Sequence, residues 1–221
     1  MMLRRILLII ILTGLTTSII AQKSTDTELW TGGELKLRLT KKLKVDVDEQ
    51  FRFNDTISSF KAALTEIGLK YKLDKGFSLK GNFRFARRSN KSNRNRFSLD
   101  VNYDWDKKEF PLSIEYRLRF QNTSDASLGK NFTYVRNRIG LDYNLSKLVD
   151  PFLFYELYFR LNGKNEFRVT RFTFGLDWKM TEQLDLTTYY RIDSDINVKK
   201  PKKQNIIGVM LSYDLDLRKK E

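Results

Sequence analysis

The clearest structural signal in the sequence is the stretch Phe97-Ser98-Leu99-Asp100-Val101-Asn102-Tyr103-Asp104-Trp105. Apolar and polar residues alternate along it without a break, so every second side chain is aliphatic or aromatic. A β-strand points successive side chains to opposite faces, whereas a helix repeats every 3.6 residues. The stretch therefore predicts a strand with one apolar face and one face of polar and acidic groups.

The same alternation recurs along most of the chain, with aromatic residues frequent on the apolar side. None of the segments that carry it has the periodicity of a helix. Including the stretch above, eleven segments show the pattern: 35–39, 43–53, 65–73, 77–85, 97–105, 110–120, 135–143, 153–161, 172–178, 184–192 and 207–217.

Strand length favours a membrane barrel, because a tilted strand needs about nine to eleven residues to cross a bilayer. We predict an all-β fold, a single antiparallel transmembrane β-barrel of about 12 strands (10–12). Bacterial barrels usually have an even number of strands, so we expect a twelfth strand within Thr25 to Gly33, before a turn at Gly32-Gly33. A soluble barrel or sandwich is the alternative, since both can alternate in the same way.

The N-terminus has the features of a secretory signal peptide. Arg4 and Arg5 precede the apolar run 6–12, and a small residue, Ala21, ends the segment. We expect cleavage after Ala21, which gives a signal peptide at 1–21 and an outer-membrane barrel at 22–221. A retained membrane helix is the alternative, but the polar and small residues at 13–18 interrupt the apolar run.

The chain contains neither cysteine nor histidine. A disulfide framework and a thiolate metal site are therefore excluded, and so are the commonest general base and metal ligand. We expect no metal, no cofactor and no enzymatic activity.

The polar segments between the strands predict an orientation. They are alternately short and long, and outer-membrane barrels have short periplasmic turns and longer external loops. The longer segments are 54–59, 87–93, 121–130, 162–165 and 194–204. Even-numbered strands should then run outward. An aromatic girdle is expected on the apolar face at the periplasmic ends, formed by Tyr71, Tyr103, Trp105, Tyr143, Trp178 and Tyr213.

Charge is distributed unevenly along the polar rows of the strands. Aspartates concentrate toward the predicted periplasmic ends, and arginines, Arg52 among them, toward the outer ends. We expect a ring of positive charge in the outer half of the lumen, formed by Arg84, Arg96, Arg117, Arg119, Arg136, Arg138, Arg160, Arg171 and Arg191.

Two functions are compatible with this ring. In an open barrel it would attract anions, giving a narrow channel for anionic solutes or oligosaccharides. In a closed barrel the arginines would pair with carboxylates such as Glu66, Glu115 and Glu156 and fill the lumen, leaving a structural or binding role. The expected partners are outer-membrane lipid and lipopolysaccharide, the barrel-assembly machinery and small anionic solutes, but no nucleic acid.

Several short motifs stand out along the chain: Glu28-Leu29-Trp30, Leu39-Thr40-Lys41-Lys42-Leu43-Lys44-Val45, Glu49-Gln50-Phe51-Arg52, Arg136-Asn137-Arg138-Ile139-Gly140-Leu141-Asp142-Tyr143 and Phe154-Tyr155-Glu156-Leu157-Tyr158-Phe159. Together they resemble a known family, the small outer-membrane barrels grouped as DUF2490 and found mostly in Bacteroidetes-type bacteria. The resemblance covers nearly all of the chain after Ala21, and it implies a membrane barrel without an assigned activity or site.

Overall fold

A computed structural model describes residues 26–106, 110–125 and 129–218. The predicted signal peptide and its cleavage site lie outside these residues. The described chain forms eleven strands: β1 (Asp26–Arg38), β2 (Leu43–Asn54), β3 (Ser59–Lys72), β4 (Phe77–Arg88), β5 (Lys91–Trp105), β6 (Leu112–Asp125), β7 (Lys130–Tyr143), β8 (Val149–Arg160), β9 (Glu166–Lys179), β10 (Leu184–Asp195) and β11 (Lys203–Asp216). No helix in this part of the chain is long and apolar enough to cross a membrane.

The strands close into one barrel in chain order. Each strand pairs antiparallel with the next, and β1 closes the barrel by pairing in parallel with β11, from Asp26 opposite Gln204 to Arg38 opposite Asp216. The all-β barrel is as predicted, except that this closing pair is parallel. Parallel closure follows from the odd strand number, because eleven strands joined by hairpins leave the first and last running the same way.

Eleven strands fall within the predicted range of 10–12, but the twelfth strand expected within Thr25 to Gly33 is not a separate element. The residues assigned to a possible extra strand and the first predicted strand form one strand, β1, with no turn at Gly32-Gly33. Gly32 and Gly33 are both in the ladder, opposite Gln50 and Glu49 of β2. A Cβ on Gly32 would overlap the backbone oxygen of Glu49, so a close approach of two strands explains this glycine, not a turn.

The polarity of the barrel is inverted relative to a soluble protein. On β3, Ile67 and Leu69 each expose 53% of their surface, whereas Glu66 on the same strand exposes 8%. Apolar side chains cover the outside and charged side chains fill the inside on the other strands as well. This arrangement is stable where hydrocarbon surrounds the barrel, as in a membrane.

The two rims of the barrel differ. The girdle residues lie near the rim where β1, β3, β5, β7, β9 and β11 end, which we call the aromatic rim; its described connections include 39–42, 73–76, 144–148 and 180–183. We call the opposite rim the polar rim; its described connections include 55–58, 89–90, 161–165 and 196–202. The predicted difference in loop length is not observed, because strands continue through most of the segments that we expected to be long loops. β4 and β5, for example, extend to Arg88 and from Lys91, leaving a two-residue turn where a loop at 87–93 was expected.

Candidate functional site: the charged lumen

The strand registers place arginines directly opposite one another on the inner wall. Arg84 faces Arg96, Arg119 faces Arg136, and Arg117 faces Arg138. Like charges opposite each other destabilise a sheet unless other groups compensate them. The lumen therefore depends on its carboxylates.

Glu156 on β8 provides the largest share of this compensation. Its Oε1 accepts hydrogen bonds from Arg117 Nη2 at 2.6 Å and Arg136 Nη2 at 2.9 Å, and its Oε2 accepts one from Arg136 Nη2 at 2.8 Å. Arg171 Nη1 lies 3.7 Å from Oε2. Glu156 exposes only 2% of its surface. One buried carboxylate thus joins three guanidinium groups from three strands.

Other lumen cations, and Arg171 in addition to its contact with Glu156, each have a close carboxylate partner. Asp100 accepts two hydrogen bonds of 2.6 Å from Arg119, one to each carboxylate oxygen, which is the bidentate geometry that a guanidinium favours. The remaining close pairs are Arg84 with Glu66 at 2.6 Å, Arg138 with Glu115 at 2.8 Å, Arg171 with Asp193 at 2.5 Å and Lys80 with Asp46 at 2.8 Å.

Three lumen arginines differ from these. Among the described residues, no carboxylate lies within ion-pair distance of Arg52, Arg96 or Arg191. Each donates a hydrogen bond through Nε alone: Arg52 donates to Gln50 Oε1 at 2.8 Å, Arg96 to Thr123 Oγ1 at 3.3 Å, and Arg191 to Thr173 Oγ1 at 2.9 Å. Three guanidinium groups in the lumen therefore have no directly bonded carboxylate in this part of the chain.

Trp30 lies in the lumen beside two of these arginines. The guanidinium carbon of Arg52 is 3.5 Å from the centroid of the Trp30 ring and that of Arg191 is 5.2 Å away, both within cation–π range. The indole is fixed in turn, because its Nε1 donates to Glu28 Oε2 at 2.8 Å. Glu28 is fully buried and also accepts from Lys61 and Gln204.

Two cavities meet at the unpaired arginines. A central cavity of about 350 Å³ lies within the charged network, and a second cavity of about 710 Å³ lies beneath the turns at 55–58 and 89–90 on the polar rim. Arg52, Arg84 and Arg96 line both cavities. We call these three residues the neck, since they stand between the two spaces.

The structure brings most of the predicted arginine ring together. Eight of the nine residues line the central cavity. The exception is Arg160, whose guanidinium carbon is 5.1 Å from the ring centroid of Phe132 and which lines neither cavity. The ring is not uniform, because ion pairs neutralise most of its members. Elements of both sequence-based alternatives, a charged pathway and a paired polar core, therefore coexist in one lumen.

The sequence reasoning missed the aromatic side chains in the lumen. Trp30, Phe154, Tyr158 and Tyr189 occupy the inner rows of β1, β8 and β10 and line the central cavity. Glycines on neighbouring strands make room for such rings, since a Cβ on Gly208 would overlap Tyr189. An aromatic residue at a normally polar position, with an inward glycine on the next strand, was the signal available in the sequence.

The predicted girdle residues all lie on the outer face close to the aromatic rim. Trp105 and Tyr143 are the last residues of β5 and β7, and Tyr71 and Trp178 are the penultimate residues of β3 and β9. Tyr103 and Tyr213 lie two and three residues before the ends of β5 and β11. Near the opposite rim the outward residues are mixed. Asn93, Asn95, Ser124 and Asn131 are polar, whereas Phe60 and Phe167 are exposed aromatic residues.

Comparisons with known proteins agree with this architecture. The sequence model of a family described as Protein of unknown function (DUF2490) matches residues 27–204. The solved NanC porin superposes with a TM-score of 0.51 at 14% identity, covering 76% of this chain and 87% of that chain. The translocator domain of the autotransporter NalP from Neisseria meningitidis gives a TM-score of 0.47 at 14% identity, over 74% and 71% of the two chains. No curated protein sequence matches the chain. At 14% identity the similarity to the NanC porin establishes the barrel fold alone.

Proposed function

The chain belongs to DUF2490, a family of proteins of unknown function, and from the geometry of its lumen we propose that it is a narrow outer-membrane channel that prefers small anions. The proposed role is passage of solutes and involves no catalysis. The apolar outer face and the aromatic girdle support the membrane location, because both match what a bilayer requires of a barrel. The signal-peptide features at 1–21 support export to the outer membrane.

The observation that carries the proposal is that two of the three neck arginines have no ion-pair partner in the described part of the chain. Arg52 and Arg96 line both cavities and have no carboxylate partner among the described residues. A charge in a confined space with low-dielectric walls focuses its field and raises the local concentration of ions of opposite sign. Solutes that pass between the cavities must pass these guanidinium groups, so anions are favoured and cations are repelled.

Planar-bilayer recording with a salt gradient tests the proposal. We expect discrete conductance steps and a reversal potential on the anion-selective side. The double variant Arg52→Gln/Arg96→Gln should shift the reversal potential toward zero, because it removes charge at the neck without leaving a carboxylate unpaired. Arg160→Gln is the matched control, since it removes one inner-wall arginine away from both cavities and should leave the reversal potential unchanged.

The paired arginines are poor choices for this test. Neutralising Arg117 or Arg136 would remove partners of Glu156, and the buried carboxylate would then lose part of its compensation. Equal shifts in the neck variant and in Arg160→Gln would show that the neck does not set selectivity.

A second candidate is a non-conducting barrel with a structural or binding role. The buried network around Glu156 and the bidentate pair of Arg119 with Asp100 favour it, because such contacts crosslink the inner wall. Absence of conductance from folded wild-type protein would remove the channel proposal and make this the leading role.

A further inference from the structure

We propose that Arg52, Arg96 and Arg191 form a binding site for a phosphoryl group, carried by inorganic phosphate or by a small phosphorylated solute. The inference deepens the proposed function and rests on it in one respect, that solutes of this size enter the lumen. It adds a specific ligand chemistry to a general preference for anions.

The three arginines have donor groups available for such a ligand. In each of them only Nε is engaged by a protein acceptor, at distances of 2.8, 3.3 and 2.9 Å for Arg52, Arg96 and Arg191. Their terminal Nη groups have no hydrogen-bond acceptor among the described residues, and all three side chains line the central cavity. Each guanidinium is thus anchored at one nitrogen and retains two others for a ligand.

The chemistry of these donors favours a phosphoryl dianion over other anions. A guanidinium presents a planar fork that matches two oxygens of a carboxylate or phosphate. A phosphoryl group offers three terminal oxygens and about two negative charges, so three forks can contact it from different sides. A carboxylate has two oxygens and one charge, and chloride has no oxygen that could accept from a fork.

The site is also held in place before any ligand binds. Arg52 and Arg191 contact the Trp30 ring, whose Nε1 is fixed by the buried Glu28. Fixed side chains lose less conformational entropy on binding, which increases affinity. Ion pairs occupy the other arginines that line the central cavity, so the three unpaired ones are the guanidinium groups left there to bind an anion.

Trp30 provides a direct reporter of binding. The chain has three tryptophans, and Trp105→Phe/Trp178→Phe leaves Trp30 as the only indole. We would titrate this variant of the folded barrel, at constant ionic strength, with sodium phosphate, a hexose 1-phosphate and sodium chloride, and follow indole fluorescence with calorimetry in parallel. We expect saturable binding of both phosphates and none of chloride. The tighter of the two phosphates identifies the source of the phosphoryl group.

Single substitutions then assign the site. Arg52→Gln, Arg96→Gln and Arg191→Gln should each weaken phosphate binding by about tenfold or more, the effect of losing one charged hydrogen-bonding partner. Arg96→Lys keeps the charge but removes the fork, and should also weaken binding. Arg160→Gln should bind like the parent. Heat-modifiable migration on gels verifies that every variant is folded.

The outcomes separate this inference from the proposed function. Saturable phosphate binding to a barrel that does not conduct would reject the channel and retain the site. Anion-selective conductance without saturable phosphate binding would retain the channel and reject the site. Equal weakening by Arg160→Gln and Arg52→Gln, or chloride binding as tightly as phosphate, would also overturn the site.

Discussion

At the scale of single residues, Glu156 both compensates charge in the lumen and stabilises the barrel. Three arginines from β6, β7 and β9 converge on one carboxylate that is almost completely buried. Removing one partner of a buried ion pair is far more costly than removing an exposed pair, because the charge left behind is neither solvated nor neutralised.

We therefore predict that Glu156→Gln destabilises the barrel by about 3–5 kcal/mol, the usual range for breaking a buried ion pair. Glu166→Gln is the matched control; Glu166 pairs with Arg168 near the polar rim, where both side chains are partly exposed, and its loss should cost about 0–1 kcal/mol. Urea unfolding in lipid vesicles, followed by tryptophan fluorescence, measures both. Similar losses for the two variants would show that the network does not concentrate stability at Glu156.

The sequence was sufficient to place the arginines on the inner wall but not to assign their partners. The face on which a side chain lies follows from the two-residue period of a strand, so the sequence alone groups Arg117, Arg119, Arg136 and Arg138 on the inner wall. Pairing depends on the register between strands and on which side chains reach across the lumen. Which arginines have no carboxylate partner among the described residues, here Arg52, Arg96 and Arg191, is therefore determined only when the barrel is assembled.

At the scale of elements, the strands were predicted better than their ends. All eleven predicted segments correspond to strands, because each buries a polar row and exposes an apolar one. The predicted strand ends near the polar rim were wrong. Polar residues such as those at 87–93 were interpreted as a loop, although the β4–β5 hairpin continues through them. Backbone pairing does not require an apolar face, so composition alone cannot locate the end of a strand outside the membrane.

Strand direction can be tested at the two ends of β10. Lys199 lies in the 196–202 connection at the polar rim and Glu182 in the 180–183 connection at the aromatic rim, and both are exposed. Because the chain has no cysteine, Lys199→Cys or Glu182→Cys introduces a single thiol. We predict that an impermeant maleimide labels Lys199→Cys on whole cells but labels Glu182→Cys only after the outer membrane is permeabilised.

The opposite labelling pattern would reverse every strand, and the neck would then lie in the periplasmic half of the lumen. Lys199 and Glu182 flank the same strand, so a local distortion would affect both.

At the scale of the whole molecule, the selectivity of the lumen should depend on salt. The screening length is about 30 Å at 0.01 M and about 3 Å at 1 M ionic strength. We predict that wild-type anion preference, measured as the reversal potential in a tenfold gradient, is largest in dilute salt and declines as salt rises. The Arg52→Gln/Arg96→Gln variant should show a smaller dependence. A preference that does not change with salt would point to size exclusion instead of charge.

The strand count was the feature of the whole molecule that the sequence could not decide. Eleven segments were visible, but the usual even number of bacterial barrels favoured a twelfth. The decisive contact is the parallel pairing of β1 with β11, which joins residues 176 or more positions apart and leaves no local pattern.

Parallel closure also limits how the chain could be reconnected. β1 begins at the polar rim with Asp26, and β11 ends at the aromatic rim with Asp216, so the two ends of the barrel-forming chain lie on opposite sides of the membrane. A linker between them would have to span the height of the wall, roughly 30 Å for a 13-residue strand tilted by about 45°. An even-stranded barrel permits circular permutation with a short linker, because its two ends meet at one rim. This topology does not permit it.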